Sequence, residues 1–461
     1  MASEPRIWIS RPQITTEGQC DCACESSLLA CDARLSDSAQ VICLGLDDEH
    51  YVIPLPDEHL LIFQPRQAAN ILVVNQAAWL RMRVDEFPAW QVEQCAPMFG
   101  TGRQLPASPL ISAWLHITNV CNLSCPYCYV SKNGQRMDEN TGLAAVEAVF
   151  RAAQQHAYSG VKLKYAGGEP TLNFPLIQKL HERARKLADE SGLEFQEVLL
   201  SNGVALSLGM LDYLAQEGMR LMISLDGLDE GQGKLRHLVN EQSSLPFVVQ
   251  GVERALASGL KPFLSTTVTR LNLGSLPEVA AFALDHALPL SLNLYRENSC
   301  LAGNADLMAE PQAVIAGIRS ALKVIEERLP PYRLIDGLLD LISFAGPHEN
   351  HCAAGRDYLV IDTQGQISRC QMAMGVVVSD IHASDTLRDV RTSIDGFQSI
   401  SVEEIAECSS CPWKFYCAGG CPLIASHAGG RSPYCDVYRA IFPELLRLEG
   451  LRLLKWKTPL G

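Results

Sequence analysis

Three things are scarce in this sequence. No apolar run approaches the about 20 residues that a membrane span needs, and the opening Met1-Ala-Ser-Glu-Pro-Arg6 has no signal-peptide pattern. Positive charge is in deficit, with 38 Lys and Arg against 52 Asp and Glu and a net charge of −14. The first two lacks read as a cytoplasmic chain with no membrane partner. The third argues against nucleic acid or an anionic lipid surface. An acidic balance would suit a basic peptide, but it also serves plain solubility. At 461 residues, 47% hydrophobic and 20% charged, the chain is an ordinary globular protein with room for two to four domains.

Cysteine, by contrast, is abundant. The count of 17 is odd and comes without an export signal, so thiols that hold metal in a reducing cytoplasm fit better than a disulfide framework. Ten fall into spaced clusters, and seven (Cys20, Cys22, Cys24, Cys31, Cys43, Cys95 and Cys300) do not. Cys20-Asp-Cys22-Ala-Cys24 is a poor metal site on a strand, because alternate residues point to opposite faces. It could share an ion only from a loop.

The central cluster is Cys121-x3-Cys125-x2-Cys128, directly after the apolar run Leu110–Ile117. Three thiolates at this spacing can each hold one iron of a cubane and leave the fourth iron open. A zinc knot is the alternative, although zinc sites more often assemble from paired C-x2-C halves.

Residues 1–109 read as a small β-rich block, with strands at Tyr51-Val-Ile-Pro-Leu-Pro56 and Leu60-Leu-Ile-Phe-Gln-Pro65 and a Pro-rich linker from Phe99 to Pro109. Its sheet edge is either a peptide-docking surface or a structural cover. From 110 to 300 strands alternate with helices. The strand candidates are Leu110–Thr118, Val161–Ala166, Phe195–Ser201, Arg220–Asp226, Pro262–Thr269 and Leu290–Tyr295. Helical patterns fill the gaps at Asn140–Gln155, Phe174–Glu190, Leu206–Gly218, Pro246–Ser258 and Ser275–His286. Six β/α repeats predict an α/β fold, a partial (β/α)6 TIM-like barrel open on one side. Polar signals sit at the strand ends: Gly167-Gly-Glu-Pro170, Ser201-Asn-Gly203 and Ser224-Leu-Asp-Gly227. Residues 301–348 form a helical bridge, with helix-like periodicity over Pro311–Arg328 and Leu334–Phe344. Residues 349–461 carry the remaining patterned cysteines, a hairpin pattern around Gly365, and an amphipathic helix over Val437–Trp456 packed on the barrel.

Cys121-x3-Cys125-x2-Cys128, with Tyr127 before the last cysteine, and Gly167-Gly-Glu-Pro170 resemble the signature of the radical S-adenosylmethionine (radical SAM) superfamily. The resemblance implies a [4Fe–4S] cluster whose open iron is chelated by S-adenosylmethionine, and a 5′-deoxyadenosyl radical formed from it. It implies that main-chain groups of Gly167, Gly168 and Glu169 meet the methionine amino group and that Tyr127 lies near the adenine. Ser201, Ser224, Asp226 and Arg236 match positions that serve ribose or carboxylate.

The later pattern is Cys352, Gly365, Cys370, Cys408-x2-Cys411-x5-Cys417-x3-Cys421 and Cys435. It resembles a SPASM domain, which implies two auxiliary [4Fe–4S] clusters with interleaved ligands. One would take Cys352, Cys370 and Cys421, the other Cys408, Cys411, Cys417 and Cys435. The first lacks a fourth cysteine. An open or exchangeable iron is the first reading and Cys300 the second, with His351 and His348 as further candidates.

Enzymes of this group mostly modify peptides. The N-terminal block and the ending Arg447-Leu-Glu-Gly-Leu-Arg-Leu-Leu454 resemble maturases of ribosomally made peptides, which install cyclophane or thioether crosslinks or other C–H changes. That implies a precursor peptide with a leader segment and an external electron donor such as flavodoxin or ferredoxin. The alternative is a sulfatase maturase forming formylglycine, but the base expected after the second SPASM cysteine is here Gln371, which cannot accept a proton in this way. From another class, a multi-cluster electron carrier or an iron–sulfur binding protein would lack the cofactor shelf at the strand ends.

Overall fold

The computed structural model describes residues 6–10, 51–63, 71–78, 110–297, 307–340, 342–344, 346–427 and 430–457. Four short strands come first: β1 (Ile7–Ser10), β2 (Tyr51–Leu55), β3 (His59–Phe63) and β4 (Ile71–Asn75). They pair antiparallel in the order β1-β4-β3-β2. Pro54 lies in β2, an edge strand, where its missing N–H interrupts no ladder. Cys20, Cys22, Cys24, Cys31, Cys43, Cys95, Cys300 and the Phe99–Pro109 linker lie outside the described residues.

The six runs read from the sequence become β5 (Leu110–Thr118), β6 (Gly160–Gly167), β7 (Glu194–Ser201), β8 (Arg220–Ser224), β9 (Phe263–Val268) and β10 (Leu290–Leu294). All pair in parallel, in chain order. The connections carry α1 (Glu139–Gln155), α2 (Phe174–Ser191), α3 (Leu208–Glu217), α4 (Glu230–Leu235), α5 (Leu245–Ala257) and α6 (Leu276–Asp285). Local chemistry sets their ends. Asp138 caps α1 by accepting from Thr141 N, and Gly192 closes α2 at φ +68°. Alternation divides the strands into two faces. Ile111, Ala113, Leu115, Val161, Leu163 and Tyr165 pack in the core that contains the helices, whereas Trp114, Ala166, Val198, Leu200 and Met222 face the lumen. Every residue of β5 is buried, as expected for a strand covered on both sides.

The sheet does not stop at β5. A hairpin of β11 (Tyr358–Ile361) and β12 (Gln366–Ser368) turns at Gly365, φ +81°, and β11 pairs in parallel with β5. β13 (Val377–Asp380), which the sequence pattern missed, completes a nine-stranded sheet.

Two expectations need correction. Of the helical bridge, α7 (Pro311–Glu327) forms, but the described residues of 334–344 are not helical. Gly337 (φ +80°) and Asp340 (φ +51°) turn the chain instead, and main-chain bonds of 2.7 Å (Leu292 N to Leu338 O) and 2.8 Å (Asp340 N to Leu292 O) add this segment to the outer edge of β10. The apolar spacing that suggested a helix is used by a loop that buries Ile335, Leu338, Leu339, Ile342 and Phe344. After α8 (Thr386–Thr392), the terminal helix α9 (Cys435–Trp456) packs on α7 and the β1–β4 sheet rather than on the barrel. A Cβ at Gly450 would come within 2.8 Å of Leu55 Cδ1 and 2.9 Å of Leu61 Cδ1. Partners on two sides explain why so much of the helix is buried. No described helix is long and apolar enough to cross a membrane.

The helix layer holds one buried ionic group. His181 on α2 meets Glu197 of β7 through Nδ1 and Glu217 of α3 through Nε2 at 3.1 Å, and Tyr165 also donates to Glu197. Tyr213 packs edge-on against the imidazole at 5.8 Å, and Arg185 lies 3.9 Å from Glu217. Burial opposes the charge on His181, but Glu197 and then Glu217 hold its pKa above the usual value. The resulting stabilisation is complete below pH of about 6.5 and is lost as pH rises through the raised folded value. His181→Leu should therefore flatten the rising-pH limb of urea unfolding midpoints and cost about 3 kcal/mol at pH 6. An unchanged profile would contradict this assignment.

Candidate active site

The loop after β5 brings the first three cysteines together, each half-buried. Cys128 N donates to Cys125 O at 3.2 Å, and Leu123 N donates to Cys121 Sγ at 3.4 Å. Neighbouring loops hold it in place. Ser124 N bonds His237 O at 2.9 Å, Val239 N bonds Asn122 O at 3.2 Å, and the Lys132 ammonium donates to Leu123 O. Burial pushes the Cys125 thiol up to about 12, against the pull of Arg236, and raises Cys121 as well. A metal bound here must displace protons from these thiols.

The strand ends around the loop are strongly cross-linked. A Cβ on Gly167 would lie 2.4 Å from Thr118 O, and one on Gly168 would lie 2.4 Å from Val120 O. The glycines thus let β6 close directly on the cysteine loop. Gly168 N donates to Thr118 O and Glu169 N to Val120 O, so carbonyl oxygens are what this stretch can turn toward an ammonium group. The Glu169 carboxylate is fully buried and accepts from Thr171 Oγ1 (2.6 Å), Asn202 N (2.8 Å) and Ser201 Oγ (2.9 Å). Ser201 is thereby engaged with Glu169. Asp226 is engaged on both oxygens: Oδ1 accepts from Thr267 N at 2.8 Å, and Oδ2 accepts from Arg236 Nε at 2.8 Å and from the Tyr127 hydroxyl. Arg236 stands 5.4 Å over the Tyr127 ring. Ser224 is half-buried at the end of β8. The sequence reading missed Asn202, whose Nδ2 lies 2.7 Å from Asn122 Oδ1 and 3.8 Å from Cys121 Sγ. Its place inside Ser201-Asn-Gly203 was the available signal. Lys132 and His237 carry none.

The other seven cysteines separate into two sets. Cys352 and Cys370 each lie within charge range of Cys421, and burial pushes both thiols up to about 12. Cys417, also pushed up to about 12 by burial, is within range of Cys411, Cys408 and Cys435. This second set lines a cavity of about 60 Å³. Between Cys417 and Cys421, Ala418, Gly419 and Gly420 all have positive φ (+44°, +77° and +80°). That turn sends two cysteines only four positions apart to different sets. Among the described residues, no three His, Cys, Asp or Glu side chains close tightly enough to share a single ion. His351 turns Nδ1 to Cys417 O at 2.9 Å and Nε2 toward Asp340 at 3.7 Å, and His348 Nδ1 faces Gly346 O at 3.3 Å. Tyr129, packed with Trp114, Tyr358, Cys352 and Cys370, lies within charge range of both Cys128 and Cys370.

Residues 115–283 match the sequence family described as Radical SAM superfamily. The match marks a radical SAM region within the chain. Over 171 residues the chain is 29% identical to an uncharacterized protein of Methanocaldococcus jannaschii, and over 172 residues 30% identical to a probable GTP 3′,8-cyclase of Sulfurisphaera tokodaii. Each match covers 37% of this chain, and the chain spans little more than half the length of these relatives, 57% and 50%. Mycofactocin maturase MftC of Mycolicibacterium smegmatis is 23% identical over 342 residues, 71% of this chain and 83% of the maturase. The solved structure of native anSMEcpe with bound AdoMet aligns with a TM-score of 0.60 at 18% identity, over 74% of this chain and 99% of that one. Streptococcus suis SuiB bound to precursor peptide SuiA aligns with a TM-score of 0.52 at 14% identity, over 83% and 98%. These structures share the α/β fold.

The site should depend on Glu169 to hold two strand ends together. Glu169→Gln replaces one of the two acceptor oxygens by a donor, set against either Asn202 N or the Thr171 and Ser201 hydroxyls, a loss of about 2 kcal/mol at a buried charged site. Equilibrium binding should show S-adenosylmethionine affinity lowered at least about tenfold. Wild-type affinity in this variant would show that the carboxylate does not shape the site.

Proposed function

We propose that this enzyme uses a 5′-deoxyadenosyl radical to modify a ribosomally made precursor peptide, by a crosslink such as a cyclophane or thioether or by another C–H change. The observation that carries the reading is where the sequence matches end. Similarity to the cyclase stops within 37% of the chain, whereas similarity to the peptide maturase MftC runs over 71% of it, well beyond the barrel. The seven later cysteines lie beyond residues 115–283, the stretch that the Radical SAM family model matches.

Cys121, Cys125 and Cys128 would hold a [4Fe–4S] cluster with one iron left for S-adenosylmethionine. Cys352, Cys370 and Cys421 would hold a second cluster, and Cys408, Cys411, Cys417 and Cys435 a third, within the cavity they line. Thiolates are the donors such clusters take. Bound there, the first cluster and S-adenosylmethionine supply the radical. The chain's own task is to orient and to exclude water. Carbonyls of Gly167 and Gly168 would hold the methionine ammonium, and the Tyr127–Asp226–Arg236 group would fix one wall, with Ser201 and Ser224 at the neighbouring strand ends. Trp114, Tyr129 and Tyr358 form a largely buried apolar wall that keeps water from the radical.

Gln371 weighs against formylglycine chemistry. Its Oε1 accepts from Tyr358 OH at 3.2 Å, so the amide is anchored beside Cys370 as a hydrogen-bonding group and not a base. The β1–β4 sheet is covered on one face by α9 and has its edges at β1 and β2, either of which would be the place for a leader segment to add as a strand. A flavodoxin- or ferredoxin-type protein would supply electrons.

Anaerobic reconstitution should yield about twelve irons per chain, from three cubanes. With dithionite, the wild type should release 5′-deoxyadenosine and Cys125→Ala should release none. A protein that takes up only zinc, or a Cys125→Ala variant that still cleaves the cofactor, would sink the enzyme reading. Where a short open reading frame lies beside the gene for this chain, incubation with its peptide should change that peptide's mass; an unaltered peptide alongside abundant 5′-deoxyadenosine would refute the substrate assignment.

A further inference from the structure

The loop after β5 closes at a neck, and one buried imidazole is bonded to that neck. Asn119 and Gln135 flank residues 120–134, which carry Cys121, Cys125 and Cys128. Asn119 N donates to Gln135 O at 2.9 Å, and its Nδ2 donates to Asn133 Oδ1 at 2.9 Å and Gln135 Oε1 at 3.1 Å. Asn119 Oδ1 lies 2.7 Å from Nε2 of His116, a residue of β5 that is 1% exposed. On its other side the ring meets Trp114, whose Nε1 lies 3.4 Å from His116 Nδ1. Trp114 belongs with Tyr358 to the apolar wall against which Tyr129, Cys352 and Cys370 pack. The contacts therefore run unbroken from the neck of the cysteine loop, along β5, to the wall beside the first of the later thiol sets.

Every donor in this chain of bonds is fixed from its two ends. Gln135 N, which can only donate, lies 3.1 Å from Asn133 Oδ1, so that oxygen is an acceptor. The Asn119 atom facing it must then be the amide nitrogen, which turns Oδ1 toward His116 and requires a hydrogen on Nε2. The indole N–H of Trp114 is donor-only as well, so Nδ1 must carry no hydrogen. Both ends specify the same neutral tautomer. Burial favours that state by holding the His116 pKa below its usual value. Removing the ring nitrogens would leave a buried amide oxygen and a buried indole N–H unpaired, which costs more than the bonds themselves contributed.

We propose that His116 is a positioning residue of the candidate active site. Through Asn119 it locks the neck of the loop that presents Cys121, Cys125 and Cys128, and through Trp114 it ties that neck to the wall beside Cys352 and Cys370. The bearing on a cluster rests on the reading of the three thiols as its ligands. A loop closed at its neck has fewer conformations to give up when a metal group draws its thiols together. The imidazole suits the task because its two nitrogens play opposite parts on opposite sides, one donating and one accepting. It acts on the loop only through Asn119.

Hydrogen exchange read by mass spectrometry on the reconstituted full chain tests the lock. In His116→Phe, amides of residues 119–135 should exchange about tenfold faster, the effect of losing one buried hydrogen bond, while those of β7 stay as in the wild type. Asn119→Ala should do the same, and the double variant should be no faster than either single one, because both cut the same chain of bonds. His116→Gln keeps a donor for Asn119 and an acceptor for Trp114, and should restore most of the protection. An unmoved neck in His116→Phe overturns the proposal, as do additive effects in the double variant or a Gln variant as fast as the Phe variant. If His116→Phe does not fold, Asn119→Ala decides: a faster neck supports the proposal and an unchanged one overturns it. The roughly four irons that Cys125→Ala lacks should also pass to a chelator about tenfold faster in His116→Phe than in the wild type. Equal iron loss beside a loosened neck overturns the bearing on the cluster. A wild type that holds no more iron than Cys125→Ala refutes the cluster reading itself, a failure distinct from that of the lock, which the exchange rates decide.

Discussion

The parallel ladder between β5 and β11 is the contact on which the rest of the site depends. Tyr358 to Ile361 pair in register with Ser112 to Leu115, while β6 occupies the other edge of β5. The strand that delivers Cys121 therefore has a neighbour on both sides, and one of them belongs to the Cys-rich C-terminal part. That part is not a module on a linker, whose position would drift. Cys370 leaves the hairpin of the same sheet from which Cys121 leaves, and Tyr129 is the residue between the two thiol groups. A continuous sheet holds such a separation constant, because sliding a strand would flip its buried face.

The polar strand ends work mainly on one another. Glu169 ties the end of β6 to the end of β7, and Asp226 ties the end of β8 to Thr267 of β9 and, through Arg236, to the loop over the cysteines. Buried carboxylates are stable only when such donors surround them. Residues that a motif reading assigns to a ligand here first build the wall against which a ligand would lie. Substituting them would disturb binding without direct contact.

How much of this was legible follows from what each feature requires. The six barrel strands and their helices were visible because each must bury one face, and the alternation of Ile111, Ala113 and Leu115 or of Val161, Leu163 and Tyr165 records that need. The hairpin at Gly365 was visible through its turn. Residues 334–344 misled because Ile335, Leu338, Leu339 and Ile342 satisfy helical spacing while packing from a loop, and only the positive φ at Gly337 and Asp340 decides between them. The seat of α9 was illegible for a different reason. Its partners, β1 to β4, lie about 380 residues earlier in the chain, and no local pattern encodes contact across such a separation.

The turn at Ala418-Gly-Gly420 shows a spacing acting as a structural instruction. Cys417 and Cys421 would lie one turn apart on a helix and face the same way. Three consecutive left-handed residues prevent that. A Cβ on Gly419 would come within 2.5 Å of Ile405 Cδ1, and one on Gly420 within 2.6 Å of Ser432 Cβ. Glycine is thus required at both positions by backbone and by packing. Because of this turn, each thiol set contains a cysteine from either side of it, and the sets share a covalent bridge of three residues. His351, bonded to Cys417 O while adjacent to Cys352, reinforces the same bridge.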